Sequence, residues 1–278
     1  MRDDQPAPPH QPLLPAIILA GSRPGVDPIA AAAGVATKAL VPIAGRPMID
    51  HVARTLLAHP AIGEVILMAQ QAAGLADHPQ TAWLREEPRI RFVDSGSGIS
   101  QSLLGWMAGE GAHLPALVTT ADNVLIDGAI LDAFLAGAQG ADVAAAMVER
   151  EVLMPRYPQS RRTWLKFRGG AWSGANLFWL GSGKAANALA KWRQIEQDRK
   201  KGWKIVSAFG PALLLGAGLR LLSIHQAIAG AGRRLGAGVA RVVPLPIAEA
   251  CIDADKPDDI ALIEGILASR ESAGQPRS

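Results

Sequence analysis

AIILAGSRPGVDPIAAAAGVATKALVPIAGRPMID, residues 16–50, sets the architecture of this chain. Ala16–Ala20 is an apolar run of strand length that enters Gly21, Ser22, Arg23, Pro24 and Gly25 directly; Lys38 follows, ahead of a second turn at Gly45-Arg46-Pro47. An unbroken apolar strand is buried on both faces, as in a parallel sheet. A glycine-rich turn at its carboxyl end lets backbone N–H groups approach a polyanion, and Arg23 and Lys38 supply cations for phosphate oxygens. The stretch therefore reads as a polyphosphate cradle, against the plainer reading of an ordinary turn with a solvated lysine. No Gly-Lys-Ser/Thr follows the first glycines and no G-x-G-x-x-G occupies the turn, so neither the phosphate-loop nor the dinucleotide fingerprint is present.

The pattern continues outward. Apolar runs of strand length recur at Val65–Ala69, Ile90–Val93, Ala116–Thr119 and Val143–Val148, with helical patterns at Met48–Ala58, Ser100–Ala108 and Ala129–Ala138. Apolar strands alternating with helices predict an α/β fold with a mostly parallel sheet covered on both faces. After Arg150 the rhythm changes to EVLMPRYPQSRRTWLKFRGGAWSGANLFWL. Trp164–Phe167 and Asn176–Leu180 read as a strand pair around the Gly169-Gly170 turn and a Ser173-Gly174 break. A helical region from Lys184 to about Leu235, a strand at Val239–Val243 and a helix at Pro257–Leu267 complete the chain. The expected organisation is a disordered leader (residues 1–13), one domain (14–270) with an inserted lobe at about 151–235, and a flexible tail (271–278).

With 278 residues and 49% of them hydrophobic, the chain can bury a full core. A formal charge of +3 and dispersed basic residues suit anionic small substrates without calling for nucleic acid. One cysteine, Cys251, excludes an intrachain disulfide and a cysteine-cluster zinc site and fits the cytoplasm. The amino terminus has no apolar core of signal-peptide length. Ile205–Leu219 is apolar but short of the roughly 20 residues a membrane span needs and is broken by Pro211 and three glycines, so buried helices are expected there. The basic stretch Lys191–Lys204 beside it reads as a solvated helix face, with peripheral contact to an anionic lipid surface as the alternative.

Open parallel sheets bind ligands at the carboxyl ends of their strands. Besides the first turn, two such loops carry carboxylates: Thr119-Thr120-Ala121-Asp122-Asn123 and Asp253-Ala254-Asp255-Lys256-Pro257-Asp258-Asp259. Each aspartate has a structural role open to it, capping a turn or starting a helix. Together with a phosphate cradle they supply the hard oxygen ligands and fixed cations that a Mg²⁺–triphosphate complex requires. The histidines His51, His59, His113 and His225 are scattered and read as surface or helix residues.

LAGSRPG, TKALVPIAGRPMIDHV, TTADNVLI and IDADKPDDI, in that order, resemble the successive motifs of the MobA-like NTP transferase superfamily. That superfamily includes molybdenum-cofactor guanylyltransferase and the sugar- and polyol-phosphate nucleotidylyltransferases. The resemblance implies a three-layer α/β/α nucleotide-diphospho-sugar transferase fold, Rossmann-like in character. It implies transfer of NMP from an NTP to a small phosphorylated acceptor with Mg²⁺ and release of pyrophosphate. By motif, Leu19, Ala20, Gly21, Ser22 and Arg23 would wrap the nucleotide and Lys38 would meet phosphates. Asp122 would bind metal, with Asp253 as second ligand and Asp255 in reserve. Gln101 and Ser102 would approach the base, or else cap their helix. Gly174 and Asn176 would form the acceptor-side turn, and Lys166, with Arg161 and Arg162 nearby, would hold the acceptor phosphate, or else these charges belong to an exposed basic hairpin. Lys38, Arg23 and Asp122 are thus the expected catalytic set. The sequence departs from the family at Ser22, where a second glycine is usual, and in an alanine-rich loop, Ile29–Ala36. Two other functions remain open: a glycosyltransferase on the same fold, and a nucleotide-binding regulatory protein without catalysis.

Overall fold

The computed structural model describes residues 13–22, 25–197 and 210–274. Along the chain the elements are β1 (Leu14–Leu19), α1 (Pro28–Ala33), β2 (Pro42–Ile43), β3 (Arg46–Pro47), α2 (Met48–Ala58), β4 (Ile62–Ala69), β5 (Ile90–Asp94), α3 (Ile99–Ala108), β6 (Ala116–Thr120) and α4 (Gly128–Ala138). Then come β7 (Val143–Glu149), α5 (Arg150–Leu153), β8 (Leu165–Phe167), β9 (Gly170–Leu180), α6 (Ala185–Gln197), α7 (Pro211–Gly218), α8 (Ile224–Leu235), β10 (Ala240–Pro244) and α9 (Pro257–Ser272). The main sheet runs β10-β7-β9-β6-β1-β4-β5, with β8 added on β9. β1 is parallel to β4 and β6, β4 to β5, and β10 to β7, whereas β9 is antiparallel to both β6 and β7.

Alternation along β1 shows why the sheet is covered twice. Successive strand residues face opposite ways, so Ile18 belongs to the buried cluster that holds Met48, Ile49, Val52 and Leu56 of α2 and Phe134 of α4, while Ile17 belongs to the one that holds Leu103 and Trp106 of α3. Both isoleucines are fully buried. The strands and helices expected from the apolar pattern are present to within a few residues, and α2 has the expected limits.

Three expectations are corrected. β9 runs through Ser173-Gly174 as one 11-residue strand, because pairing of these two residues with Val148 and Met147 of β7 overrides the local turn preference. The alanine-rich stretch after Gly25 is not simply a long loop. Asp27 caps α1 by accepting from the N–H groups of Ile29 and Ala30 at 3.0 Å, and Gly34 ends it at φ 68°. The last helix continues past Leu267 to Ser272. The 151–235 segment, expected as an inserted lobe, supplies β9 to the middle of the sheet, with Leu177, Trp179 and Leu180 buried there. The expected leader, apart from Leu13, and residues 275–278 of the expected tail lie outside the described residues, as do residues 205–209 of the apolar run. No helix among the described residues is long and apolar enough to cross a membrane.

Candidate functional site

The carboxyl ends of β1, β4, β5 and β6 share one edge of the sheet, and the amino-terminal half of the antiparallel β9 reaches the same edge, since Gly174 pairs with Met147 near the end of β7. Ala20 N–H donates to Met68 O at 2.9 Å and Ala121 N–H to Leu19 O at 3.0 Å, so the Gly21 turn leaves beside the Asp122 turn. Adjacent strands lie about 4.8 Å apart, and the two loops are therefore neighbours by construction.

Lys38 begins a short 3₁₀ turn, Lys38–Leu40, and extends to the carboxylates of two remote loops. Its ammonium donates to Asp122 Oδ2 and to Asp255 Oδ1, each at 2.6 Å. Burial works against the charge, but the two carboxylates, Asp122 foremost, outweigh it and hold the Lys38 pKa above the usual lysine range. Thr120 Oγ1 donates to Asp122 Oδ1 at 2.5 Å, fixing that carboxylate from its other side. The tail is docked by its backbone, with Ala254 N–H donating to Asp122 O at 3.1 Å.

Asp253 is buried beside this pair. Asn176 Nδ2 donates to its Oδ2 at 2.8 Å and Arg162 Nη1 pairs with its Oδ1. Burial pushes the Asp253 pKa up, Arg162 opposes it, and Asp255 and Asp122 add to the rise, so the three carboxylates feel one another. Asn176 sits at φ 49°, opposite an irregularity in the β7–β9 register between Ala145 and Met147. An extra residue in one strand bends it and re-aims a side chain, and asparagine tolerates the left-handed region better than most residues. Asn123, buried in the Asp122 turn, donates to Ala175 O at 3.2 Å, satisfying a carbonyl beside the bulge.

The first loop is held by Gln70 at the end of β4. Ser22 N–H donates to Gln70 Oε1 at 2.9 Å and Gln70 Nε2 donates to Ser22 O at 3.2 Å. A Cβ on Gly21 would lie 3.1 Å from Gln70 Oε1, so glycine keeps this contact open. Arg23 lies outside the described residues. Ser102 is spent on its own loop, accepting from Gly96 N–H at 2.9 Å and donating to Gly98 O at 2.8 Å, and Gln101 accepts from Ser97 Oγ at 2.6 Å.

The structure thus gathers Leu19, Ala20, Gly21, Ser22, Lys38, Asp122, Asn176, Asp253 and Asp255, with Gly174 on the same strand as Asn176. Lys166 is not among them: it is exposed on β8 and registers with Ala171, five residues up β9 from Asn176, or about 17 Å at 3.4 Å per residue. Arg162, grouped with Lys166 from sequence, parts from it to clamp Asp253. His51 lies in α2, within the expected alternatives, and both it and His59, just past the end of α2, are buried: His51 Nε2 bonds Ile43 O at 2.9 Å and His59 Nε2 pairs with Asp132 at 3.2 Å. Sequence reasoning missed Gln70 and Thr120, whose only signal was a polar side chain at a strand's carboxyl end.

Sheet order, helical cover and a ligand edge bearing cations and carboxylates define an α/β fold of the nucleotide-diphospho-sugar transferase type. The chain belongs to the MobA-like NTP transferase domain family, whose model matches residues 16–211. A curated relative, 2-C-methyl-D-erythritol 4-phosphate cytidylyltransferase from Aeromonas hydrophila subsp. hydrophila, is 31% identical over 159 residues, covering 47% of this chain and 63% of its own length. This chain therefore spans under two thirds of that relative. A structure described as a hypothetical transferase from Thermus thermophilus superposes with a TM-score of 0.73 at 27% identity, over 89% of this chain and 99% of that one. 4-diphosphocytidyl-2C-methyl-D-erythritol synthase from Anaerococcus prevotii shares the fold, with a TM-score of 0.58 at 11% identity over 92% and 99% of the two chains.

Proposed function

We propose that this protein is a nucleotidyltransferase that moves the NMP unit of an NTP onto a small phosphorylated acceptor, a sugar, polyol or cofactor phosphate, and releases pyrophosphate with Mg²⁺ as cofactor. One observation carries the reading: Lys38 from the first loop meets Asp122 from the centre of the chain and Asp255 from its tail. In the reaction an oxygen of the acceptor phosphate attacks the α-phosphorus, a new P–O bond forms, and the bond to the bridging α–β oxygen breaks with its electron pair leaving on pyrophosphate. The step needs alignment and charge neutralisation rather than a covalent nucleophile.

The residues fit a hard divalent cation. Asp122 and Asp255 already aim oxygens at one shared cationic atom, the Lys38 ammonium. Among the described residues no group of three His, Cys, Asp or Glu side chains forms a closed metal cage. Asp122 with Asp255 or Asp253 would therefore hold Mg²⁺, the remaining ligands being phosphate oxygens and water, as is usual for this ion. When bound, the ion neutralises phosphate charge and polarises the reacting phosphoryl group. The Gly21 and Ser22 backbone cradles the nucleotide, with Gln70 stiffening the loop. Lys38 exchanges a carboxylate for phosphate oxygens, and Asn176, positioned by the bulge, orients Asp253 and the acceptor side.

The test is pyrophosphate release by the purified chain across four NTPs and a panel of sugar, polyol and pterin phosphates. CTP with polyol phosphates comes first, because the curated relative bears that name. Pyrophosphate formed only with Mg²⁺ and a matched acceptor supports the reading. No pyrophosphate from any NTP, with nucleoside diphosphate released when a nucleotide-sugar is supplied as donor, would instead make the protein a glycosyltransferase.

A further inference from the structure

The last turn of α7 and the residues after it expose three leucines together: Leu215 at 62%, Leu219 at 66% and Leu221 at 60%. They are not scattered. Leu219 N–H donates to Leu215 O at 2.8 Å and Leu221 N–H to Gly216 O at 2.8 Å, so all three project from one helical turn and its exit. The inner face of the same segment is already used, because Leu213 of α7 lies against Gly230 of α8 and Leu222 folds back against Gly216. Single exposed leucines are ordinary, whereas a cluster marks a contact surface.

The segment that carries the cluster is basic: from Gly210 to Ala248 the sequence holds four arginines and no Asp or Glu, in a chain whose formal charge is only +3. Arg220 stands exposed between Leu219 and Leu221, in the left-handed region at φ 56°. Exposed Arg234 packs its guanidinium against Gly210, at the start of α7, and Lys191 of α6 donates to Arg234 O at 2.7 Å. Trp192 beside it is 44% exposed.

From this arrangement we infer that the α6–α7–α8 face docks the protein on an anionic lipid bilayer, the leucines entering the interface while Arg220, Arg234 and Lys191 meet lipid phosphates. An interfacial anchor needs both parts, an apolar tip that partitions and a basic rim that anionic headgroups attract. The rim argues against a second copy of the chain as the occupant, because a two-fold contact sets the patch against its own copy and would bring basic side chains against basic side chains. Nucleic acid would engage the arginines but leave the leucines without a role.

The experiment is flotation of the full chain with vesicles of phosphatidylcholine alone and of phosphatidylcholine mixed with phosphatidylglycerol, at low and raised salt. Binding to the mixed vesicles only, weakened by salt, is expected. Leu215→Ser, Leu219→Ser and Leu221→Ser should each weaken partition by about tenfold, as should the pair Arg220→Glu with Arg234→Glu. Because these side chains are exposed, circular dichroism and melting temperature should match the wild type and certify the fold. No flotation with the mixed vesicles overturns the inference. So does flotation that the leucine variants leave unchanged, which would indicate an electrostatic surface shared with nucleic acid. A wild-type dimer that the leucine variants dissociate would assign the face to a second copy and likewise overturn it.

Discussion

Asn176 reaches Asp253 from a left-handed backbone: at φ 49° in the bulged part of β9 its side-chain amide donates to Asp253 Oδ2 at 2.8 Å. Backbone conformation and side-chain bond can be separated by substitution. Asn176→Gly keeps the backbone at ease and deletes the amide, whereas Asn176→Ala deletes the amide and adds a left-handed penalty of about 1–2 kcal/mol. Both should cut pyrophosphate release by about tenfold or more, and only the alanine variant should also melt earlier than the glycine variant in a thermal scan. Full activity in Asn176→Gly would show that the bulge matters and the amide does not.

Lys38 sets up a second pair of outcomes. Asp122→Ala should leave the circular dichroism spectrum unchanged and reduce turnover by about a hundred- to a thousandfold, the loss seen when a preorganised electrostatic group is removed. Near-wild-type pyrophosphate release would remove Asp122 from the site. Lys38→Met leaves Asp122 and Asp255 facing one another without their shared ammonium. Added Mg²⁺ should then raise the melting temperature of Lys38→Met by more than that of the wild type, because a cation that binds only the folded state stabilises it by mass action. Equal shifts would show that the ion does not bind between these carboxylates.

The apolar strands are legible because each is a short run closed by turn-forming residues, and those runs alone mark β1, β4, β5, β6 and β7. β9 is legible only over half its length, since Ser173 and Gly174 look like a turn in isolation and are held extended by pairing with Val148 and Met147 of β7. The same non-locality hid the pairings of the site. Lys38 could be assigned to phosphates from its loop, but its present partners lie 84 and 217 residues away. Sequence left Asp253 and Asp255 as rivals for one role. The structure gives them different partners, Asp255 the lysine and Asp253 the Asn176–Arg162 clamp.

Two glycines should answer opposite ways to alanine. At Gly181 a Cβ would collide with the Ala141 carbonyl oxygen and lie 2.7 Å from Trp179 Nε1, in a turn where Gly181 N–H donates to Asp142 O. Backbone cannot swing aside as a side chain can, so Gly181→Ala should destabilise by about 1–3 kcal/mol. Gly105 lies mid-helix in α3 with nothing within 4 Å of its missing Cβ, and Gly105→Ala should stabilise by about 0.5–1 kcal/mol. Denaturant melts of the two variants against the wild type check both signs. Equal effects would mean that close approach does not explain Gly181.

Tyr157 is the only tyrosine in the chain, so its phenolate absorbance reports one group. Its hydroxyl donates to Glu249 Oε1 at 2.6 Å, and Glu249 also pairs with Arg156 at 3.1 Å. Burial first, and then the Glu249 carboxylate, push the phenol from 10.0 up to about 12. As pH rises from 10 towards 12 the unfolded chain releases a proton that the folded chain retains. The native state then binds more protons than the unfolded state, and stability falls with rising pH through that window. A spectrophotometric titration should give a midpoint near 12 for the folded protein and near 10 in denaturant. Glu249→Gln removes the carboxylate charge but not the burial, so its folded midpoint should fall between the two. An unchanged midpoint in that variant would leave burial alone as the cause.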